Sequence, residues 1–229
     1  MALCSGGLNM AVTATHLESN SGAAASSFNT GSLSLSSGQI VIVAVGGFVS
    51  GGLSNVPTLS LTGWTFNKIA DEAGNANYRV SLWTGTGTGT GQIAIDFGGQ
   101  SQTRASWSVA QFGNVAKSGT GGSDGVVQSV GNHIDSGQTS GTVTLGAFSS
   151  VNNPTIITIY KNATNVFVGS GSIIVLGQSG SGSTRLALGW QDSNNTTPTM
   201  TFSGSGGDGY QAIGAELRYR SSAGFFGFM

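Results

Sequence analysis

Ile40-Val41-Ile42-Val43-Ala44-Val45 is the longest unbroken apolar run in the chain, and every residue in it but Ala44 is β-branched. Such side chains favour extended backbone. The run has the length of a buried strand and falls far short of the roughly 18 apolar residues that cross a bilayer. It does not alternate with polar residues. A strand of that kind lies centrally, with both faces covered or with a neighbour packed on its outer side.

Outward from this run, apolar clusters rich in Val, Ile, Thr, Phe and Trp recur, each bounded by Gly, Ser or Asn, and no stretch shows helical periodicity. The pattern predicts strands at Gln39–Phe48, Thr58–Thr62, Trp64–Ala70, Tyr78–Thr84, Gln92–Phe97 and Arg104–Phe112. A second series follows at Gly141–Phe148, Thr155–Tyr160, Ser172–Gln178, Thr184–Gln191, Thr199–Ser203 and Tyr210–Tyr219. Alternation sets Ile93, Ile95 and Phe97 on one face, likewise Leu186, Leu188 and Trp190, and likewise Ile213, Ala215, Leu217 and Tyr219. Each of these strands is therefore expected to be wet on its other side. The fold class expected is all-β: a two-sheet antiparallel β-sandwich, jelly-roll-like.

Composition narrows the function classes. The 229 residues include 8 basic and 9 acidic side chains, 7% of the chain, where ordinary domains carry about 25%. Lys68, Lys117, Lys161, Arg79, Arg104 and Arg185 are isolated and only Arg218 and Arg220 are close together. Nucleic acid is excluded as a partner, because counterion release needs clustered cations. No charged tail or membrane-surface patch is present, and with 38% hydrophobic residues the chain is not a charge-driven disordered one. Residues 1–10 lack the basic-then-apolar order of a secretory signal, so synthesis in a host cytoplasm without a signal peptide is expected. The single cysteine, Cys4, allows no internal disulfide.

The chain also repeats itself weakly. Tyr78-Arg79-Val80-Ser81-Leu82-Trp83 recurs as Thr184-Arg185-Leu186-Ala187-Leu188-Gly189, and Trp107 and Val109 recur as Ile213 and Ala215. Ile93 and Ile95 match Met200 and Phe202, and Thr62–Phe66 matches Gly171–Val175. This is either internal pseudo-symmetry or the chance alignment of two Ser/Gly-punctuated strand series. Each half shows few strands for a sandwich of its own. The expected organisation is therefore an N-terminal arm or edge strand over 1–30, one sandwich over 31–220 in which the halves interleave, and a hydrophobic tail over 221–229. The repeat Gly85-Thr86-Gly87-Thr88-Gly89-Thr90-Gly91 is expected to be a flexible connector.

Chemistry-bearing residues are sparse. His16, near Glu18, and His133, near Asp135, are expected in an arm and a loop; neither sits on a predicted rigid element. Gly121–Gly125 matches G-x-S-x-G without the following helix of a nucleophile elbow. Gly204–Gly209 matches G-x-G-x-x-G but precedes a strand, so no helix N-terminus is there to hold phosphate. Asp192, Asn194, Asn195 and Asp208 could ligate calcium, though turn stabilisation is the simpler role. No cofactor, catalytic residue or metal site is expected. Trp107 and Trp190 read as core. Trp83, beside Arg79 and Ser81 on the face opposite Val80 and Leu82, is the one candidate platform for stacking a sugar ring. In the last strand, Glu216, Arg218 and Arg220 share a face that reads as solvated or as a polar contact with a neighbouring subunit.

The series Ile40–Gly47, Leu61-Thr62-Gly63-Trp64-Thr65, Tyr78–Trp83, Trp107–Val115 and Ala212–Arg218 resembles jelly-roll β-sandwich proteins of tailed-bacteriophage virions. The resemblance spans about residues 31–220 and rests on strand order and a few Gly, Trp and Phe positions. It implies a non-enzymatic structural role in a virion, as a capsid decoration or other surface-assembled protein. The implied partners are other virion proteins, capsid or tail, together with further copies of the chain in a high-copy assembly. Phe225, Phe226, Phe228 and Met229 form a hydrophobic end that either tucks onto its own sandwich or serves as an assembly peg. The alternative reading is a glycan-binding adhesion module using Trp83 and Arg79. An enzyme ranks last, and the feature that would favour it is a pocket bringing His133 or His16 within hydrogen-bonding reach of a carboxylate.

Overall fold

A computed structural model describes residues 11–74, 77–162, 167–181, 184–202 and 209–220. The tail residues Phe225, Phe226, Phe228 and Met229, with Cys4 and Asp208, lie outside the described residues.

The Ile40–Val45 run belongs to β4 (Ile40–Phe48), the middle strand of a five-stranded antiparallel sheet. Its order is β1 (Thr13–Gly22), β10 (Arg104–Gly113), β4, β7 (Tyr78–Gly87), β6 (Trp64–Ala73). A second five-stranded sheet runs β11 (Val126–Ile134), β18 (Tyr210–Leu217), β13 (Thr155–Asn162), β16 (Thr184–Gln191), β15 (Ile174–Ser181). Two three-stranded sheets accompany them: β2 (Ser27–Asn29), β9 (Ala94–Asp96), β5 (Thr58–Ser60), and β12 (Ser140–Thr142), β17 (Thr199–Phe202), β14 (Phe167–Gly169). A ribbon of β3 (Leu33–Leu35) and β8 (Gly89–Gly91) completes the strands among the described residues.

The all-β antiparallel sandwich is thus present, and it has more layers than two. Ile40, Ile42 and Ala44 point into a core shared with Ile156, Tyr160, Leu186, Leu188, Trp190, Ile213, Ala215 and Leu217 of the second large sheet. Val41, Val43 and Val45 point the other way, into a core with Ile93, Ile95, Phe97 and Trp107. The outer face of the second large sheet is covered likewise, by Val143, Phe167, Met200 and Phe202. The stack is small sheet, large sheet, large sheet, small sheet. Consequently β16 and β18 are not wet on one side. Ala187, Gly189, Ala212 and Gly214 on their outer faces look like solvent positions in sequence, yet their small size lets the outer layer close down: a Cβ on Gly214 would lie 3.0 Å from Val143.

The halves do not interleave. All strands of each large sheet come from one half, because β1, β11 and the three-residue strands, which leave weak signals in the sequence, bring each half to a complete set. The two sets share one topology: β1, β10, β4, β7 and β6 correspond to β11, β18, β13, β16 and β15, and β2-β9-β5 corresponds to β12-β17-β14. Tyr78–Trp83 does match Thr184–Gly189, and even the bulges agree. One between Lys68 and Ala70 faces Trp83 and Leu82, and one between Val175 and Gly177 faces Gly189 and Leu188. Three of the sequence matches need correction. Val175 aligns with Lys68 and not with Phe66, so matching Thr62–Phe66 to Gly171–Val175 is two residues out. Pairing registers align Ala110 and Phe112 with Ala215 and Leu217, so matching Trp107 to Ile213 is one residue out and swaps the face. Ile95 and Phe97 align with Met200 and Phe202, since Phe97 N–H bonds Ser26 as Phe202 N–H bonds Thr139.

The large sheets meet as symmetry mates: β1 lies on β15 as β11 lies on β6, and β10 on β16 as β18 on β7. By register, Gly46 and Tyr160 occupy equivalent positions, and they touch. The Tyr160 ring fills the room left by the missing Gly46 side chain, where a Cβ would come within 2.4 Å of it. A pseudo-two-fold axis therefore passes between them.

The Gly/Thr repeat is also ordered rather than flexible. Gly85 and Gly87 continue β7 and are roofed by the rings of their cross-strand partners Phe66 and Trp64. Aromatic cover of this kind makes up for the packing a strand glycine lacks. Gly89 and Gly91, with φ of 120° and 156°, then turn the chain into β8.

Gly46→Ala is expected to destabilise the protein by about 1–3 kcal/mol through overpacking. Combined with Tyr160→Ala, which opens the same space, its cost should shrink by about 1 kcal/mol or more. Urea denaturation of the four proteins in the cycle measures both.

Candidate functional site

Polar chemistry gathers around β6, where the bulge turns successive side chains toward both faces. On the outer face, Asp71 accepts from Lys68 Nζ at 2.5 Å and from the guanidinium of Arg79. Arg79 Nε also donates to the Ser54 carbonyl at 2.7 Å. Trp83 sits in the same patch, opposite Lys68 across the β6–β7 ladder, half-buried, with Nε1 donating to Ser81 Oγ at 3.1 Å. The two residues singled out from sequence are therefore brought onto one face, beside a lysine and an aspartate that the sequence did not flag. Such a patch can stack a ring on Trp83 and offer Lys68 and Asp71 to hydroxyl groups. Arg79 already commits its Nε–H to Ser54 and an Nη1–H to Asp71.

On the inner face, Glu72 reaches across to the other half, where its Oε1 lies 2.6 Å from His133 Nδ1. His133 lies on β11 and not in a loop, and its carboxylate partner is Glu72 rather than Asp135. The segment Val126–Ile134 has no clean alternation and half-exposed side chains; its strand form comes from pairing with β18. Gly131 leaves the room Glu72 occupies, since a Cβ there would meet its Oε2. A histidine is thus within hydrogen-bonding reach of a carboxylate. His133 is exposed at 44% of its side chain, so the pair lies at the open seam between the sheets. His16 is on β1, within 2.8 Å of Ser19 Oγ, while Glu18 accepts from Gly31 N–H at 2.6 Å and Trp107 Nε1 at 3.3 Å.

Glu216 departs most from its sequence reading. It is fully buried beneath residues 146–153 instead of lying on a solvated face. Its Oε1 accepts from Ser149 N–H and Oγ, both at 2.9 Å, and from Asn153 Nδ2 at 2.5 Å; its Oε2 accepts from Gln128 Nε2 at 2.7 Å. Burial pushes its carboxyl up, but the bonds from Asn153, Gln128 and Ser149 together outweigh it and hold the group below the ordinary glutamate value. This is an anchor for a loop.

Around Asp192 the polar atoms satisfy one another: Asn195 Nδ2 donates to Gln191 Oε1 and Thr197 N–H to Asn195 Oδ1, both at 3.0 Å. Burial raises the Asp192 carboxyl, partly offset by a bond from the Val12 backbone. No group of three or more His, Cys, Asp or Glu side chains converges on a metal position among the described residues. Gly121–Gly125 lies in a short 3-10 segment that opens directly into β11.

Comparison with protein-family models, curated proteins and solved structures yields no match for this chain.

The Glu216 anchor sets a pH dependence. A carboxyl whose folded pKa is depressed stabilises the fold above its unfolded value, about 4.3, and that contribution is lost as pH falls toward the folded value. Glu216→Gln should cost about 1.5–3 kcal/mol at neutral pH. The gap between variant and parent should narrow below about pH 4, read from urea midpoints across pH.

Proposed function

We propose that this protein is a non-enzymatic virion structural protein, a capsid decoration or other surface-assembled component that docks on neighbouring subunits through the outside of its second half. The observation that carries the reading is an asymmetry between the duplicated halves. Val168 and Ile174 are 56% and 59% exposed, and by register they take the places held in the first half by Thr58 and Asn67. Val151, 73% exposed, stands on a loop between Leu145 and β13 that is longer than its counterpart between β3 and β4. Where the fold itself needs only a polar surface, one half has acquired aliphatic side chains in contact with water, a feature of interaction surfaces. The scarcity of charge, with a net of −1, leaves little repulsion between copies packed closely.

Docking through faces and loops also suits the sheet edges. β1, β6, β11 and β15, the outer strands of the two large sheets, each carry a bulge, whereas the pairings among the inner strands carry none. Bulged edges resist the addition of a further strand.

Proteomics of purified particles should find the protein at high copy number, and absence from the particle overturns the reading. On stripped particles, the triple variant Val151→Ser, Val168→Ser and Ile174→Ser should rebind at least about tenfold more weakly than the parent.

A second reading, a glycan-binding module on a tail or particle surface, is favoured by the half-exposed ring of Trp83 between Lys68, Asp71 and Arg79. Binding to a glycan array that Trp83→Ala abolishes supports it, and a blank array for the parent removes it.

A further inference from the structure

We propose that the cleft lined by Ala116, Lys117, Ser118 and Arg220 binds a dianionic oxyanion, a phosphate monoester group carried on a small molecule. The cleft has a volume of about 440 Å³, within the range of small-molecule sites and larger than a bare ion needs.

The cations of the described residues point to it. Lys68 and Arg79 are committed to Asp71, Arg218 Nε donates to the Asp124 carbonyl at 3.0 Å, and Lys161 donates to the Gln138 carbonyl and covers the Phe202 ring. Arg104 and Arg185 are also engaged. The side chains of Lys117 and Arg220 have no hydrogen-bond or ion-pair partner among the described residues, and they are the two that line one cleft. The nearby acid, Asp124, holds its carboxylate over Gly119 and is not part of the lining.

The backbone beneath is fixed. Ala116 N–H donates to the Arg218 carbonyl at 2.9 Å and Arg220 N–H to the Asn114 carbonyl at 2.8 Å, around the Val115–Tyr219 bridge. This short ladder joins the residues that follow β10 to those that follow its counterpart β18, across the pseudo-two-fold, and it therefore occurs once per chain. Among the described residues the lining carries two cationic side chains and no acidic one, a charge balance that favours a ligand carrying two negative charges. The guanidinium offers paired donors to phosphate or sulfate oxygens, and the ammonium acts as a point charge. Ser118 adds a hydroxyl to the lining. The site stands independently of the virion reading.

The test titrates the full chain with inorganic phosphate, sulfate and acetate at constant ionic strength, by calorimetry and by amide NMR. Phosphate and sulfate should bind saturably and at least tenfold more tightly than acetate, with shifts centred on residues 116–118 and 220. Lys117→Gln with Arg220→Gln should weaken phosphate binding at least tenfold. Absence of saturable binding, equal affinity for acetate, shifts centred elsewhere, or a variant that binds as the parent does each overturns the proposal. The shift map on the parent decides the matter even if the variant fails to fold.

Discussion

A strand that is apolar on both faces has to be covered twice, and everything else in this molecule follows from how β4 meets that requirement. Ile40, Ile42 and Ala44 need one layer, and Val41, Val43 and Val45 need another. Burying such side chains is worth on the order of 1.5–3 kcal/mol each, and a two-layer sandwich would leave one set in water. The small outer sheet covers one face. The other face is covered by the second half of the chain, whose own central strand, β13, is apolar on both faces for the same reason: Ile156 and Tyr160 point inward, Ile157 and Ile159 outward.

The shared core makes the two halves mutually dependent, and its chemistry shows how duplicated sequences adapt to each other. Contacts lying off the pseudo-axis occur twice and can stay alike, as Leu82 and Leu188 do. A contact on the axis brings a position against its own counterpart, and here one ring takes the room of both, so two tyrosines would compete for the same space and two glycines would leave it empty. Gly46 and Tyr160 settle this by being unequal. The same divergence appears next to them, where Gly47 lies close to Phe97 while Lys161 covers Phe202 at 3.7 Å.

How much of this was legible in the sequence varied with where the ordering forces come from. Strands that are driven by their own apolar content, β4, β7, β10, β13 and β16, could be read directly. The repeat was legible in β7 and β16, yet a one-residue slip in β10 pointed Trp107 to the wrong counterpart, because glycine and alanine at Gly214 and Ala212 carry no sign of which face is covered. Val126–Ile134 could not be read as a strand, since backbone pairing with β18 orders it more than its side chains do. At the candidate sites, the Trp83 and Arg79 face followed from alternation. The pairing of His133 with Glu72 and the burial of Glu216 depend on segments far apart in the chain, and no local pattern announces them.

Joining two similar halves by residues 114–125 has a consequence for what the chain does at high concentration. If two molecules exchanged their second halves, every contact between the large sheets would be reproduced, with the same rings over the same glycines, so the core has no preference between a closed monomer and an exchanged pair. The preference must come from the connection itself. The bonds of Asn114, Val115 and Ala116 to Arg220, Tyr219 and Arg218 hold its first residues against the end of the same chain. Its last residues fold back through the carbonyl of Gly125 onto Arg218. Those bonds would re-form in an exchanged pair as well, so what separates the two states is residues 117–124 alone, whose short 3-10 segment would have to extend into the hinge that swapping requires.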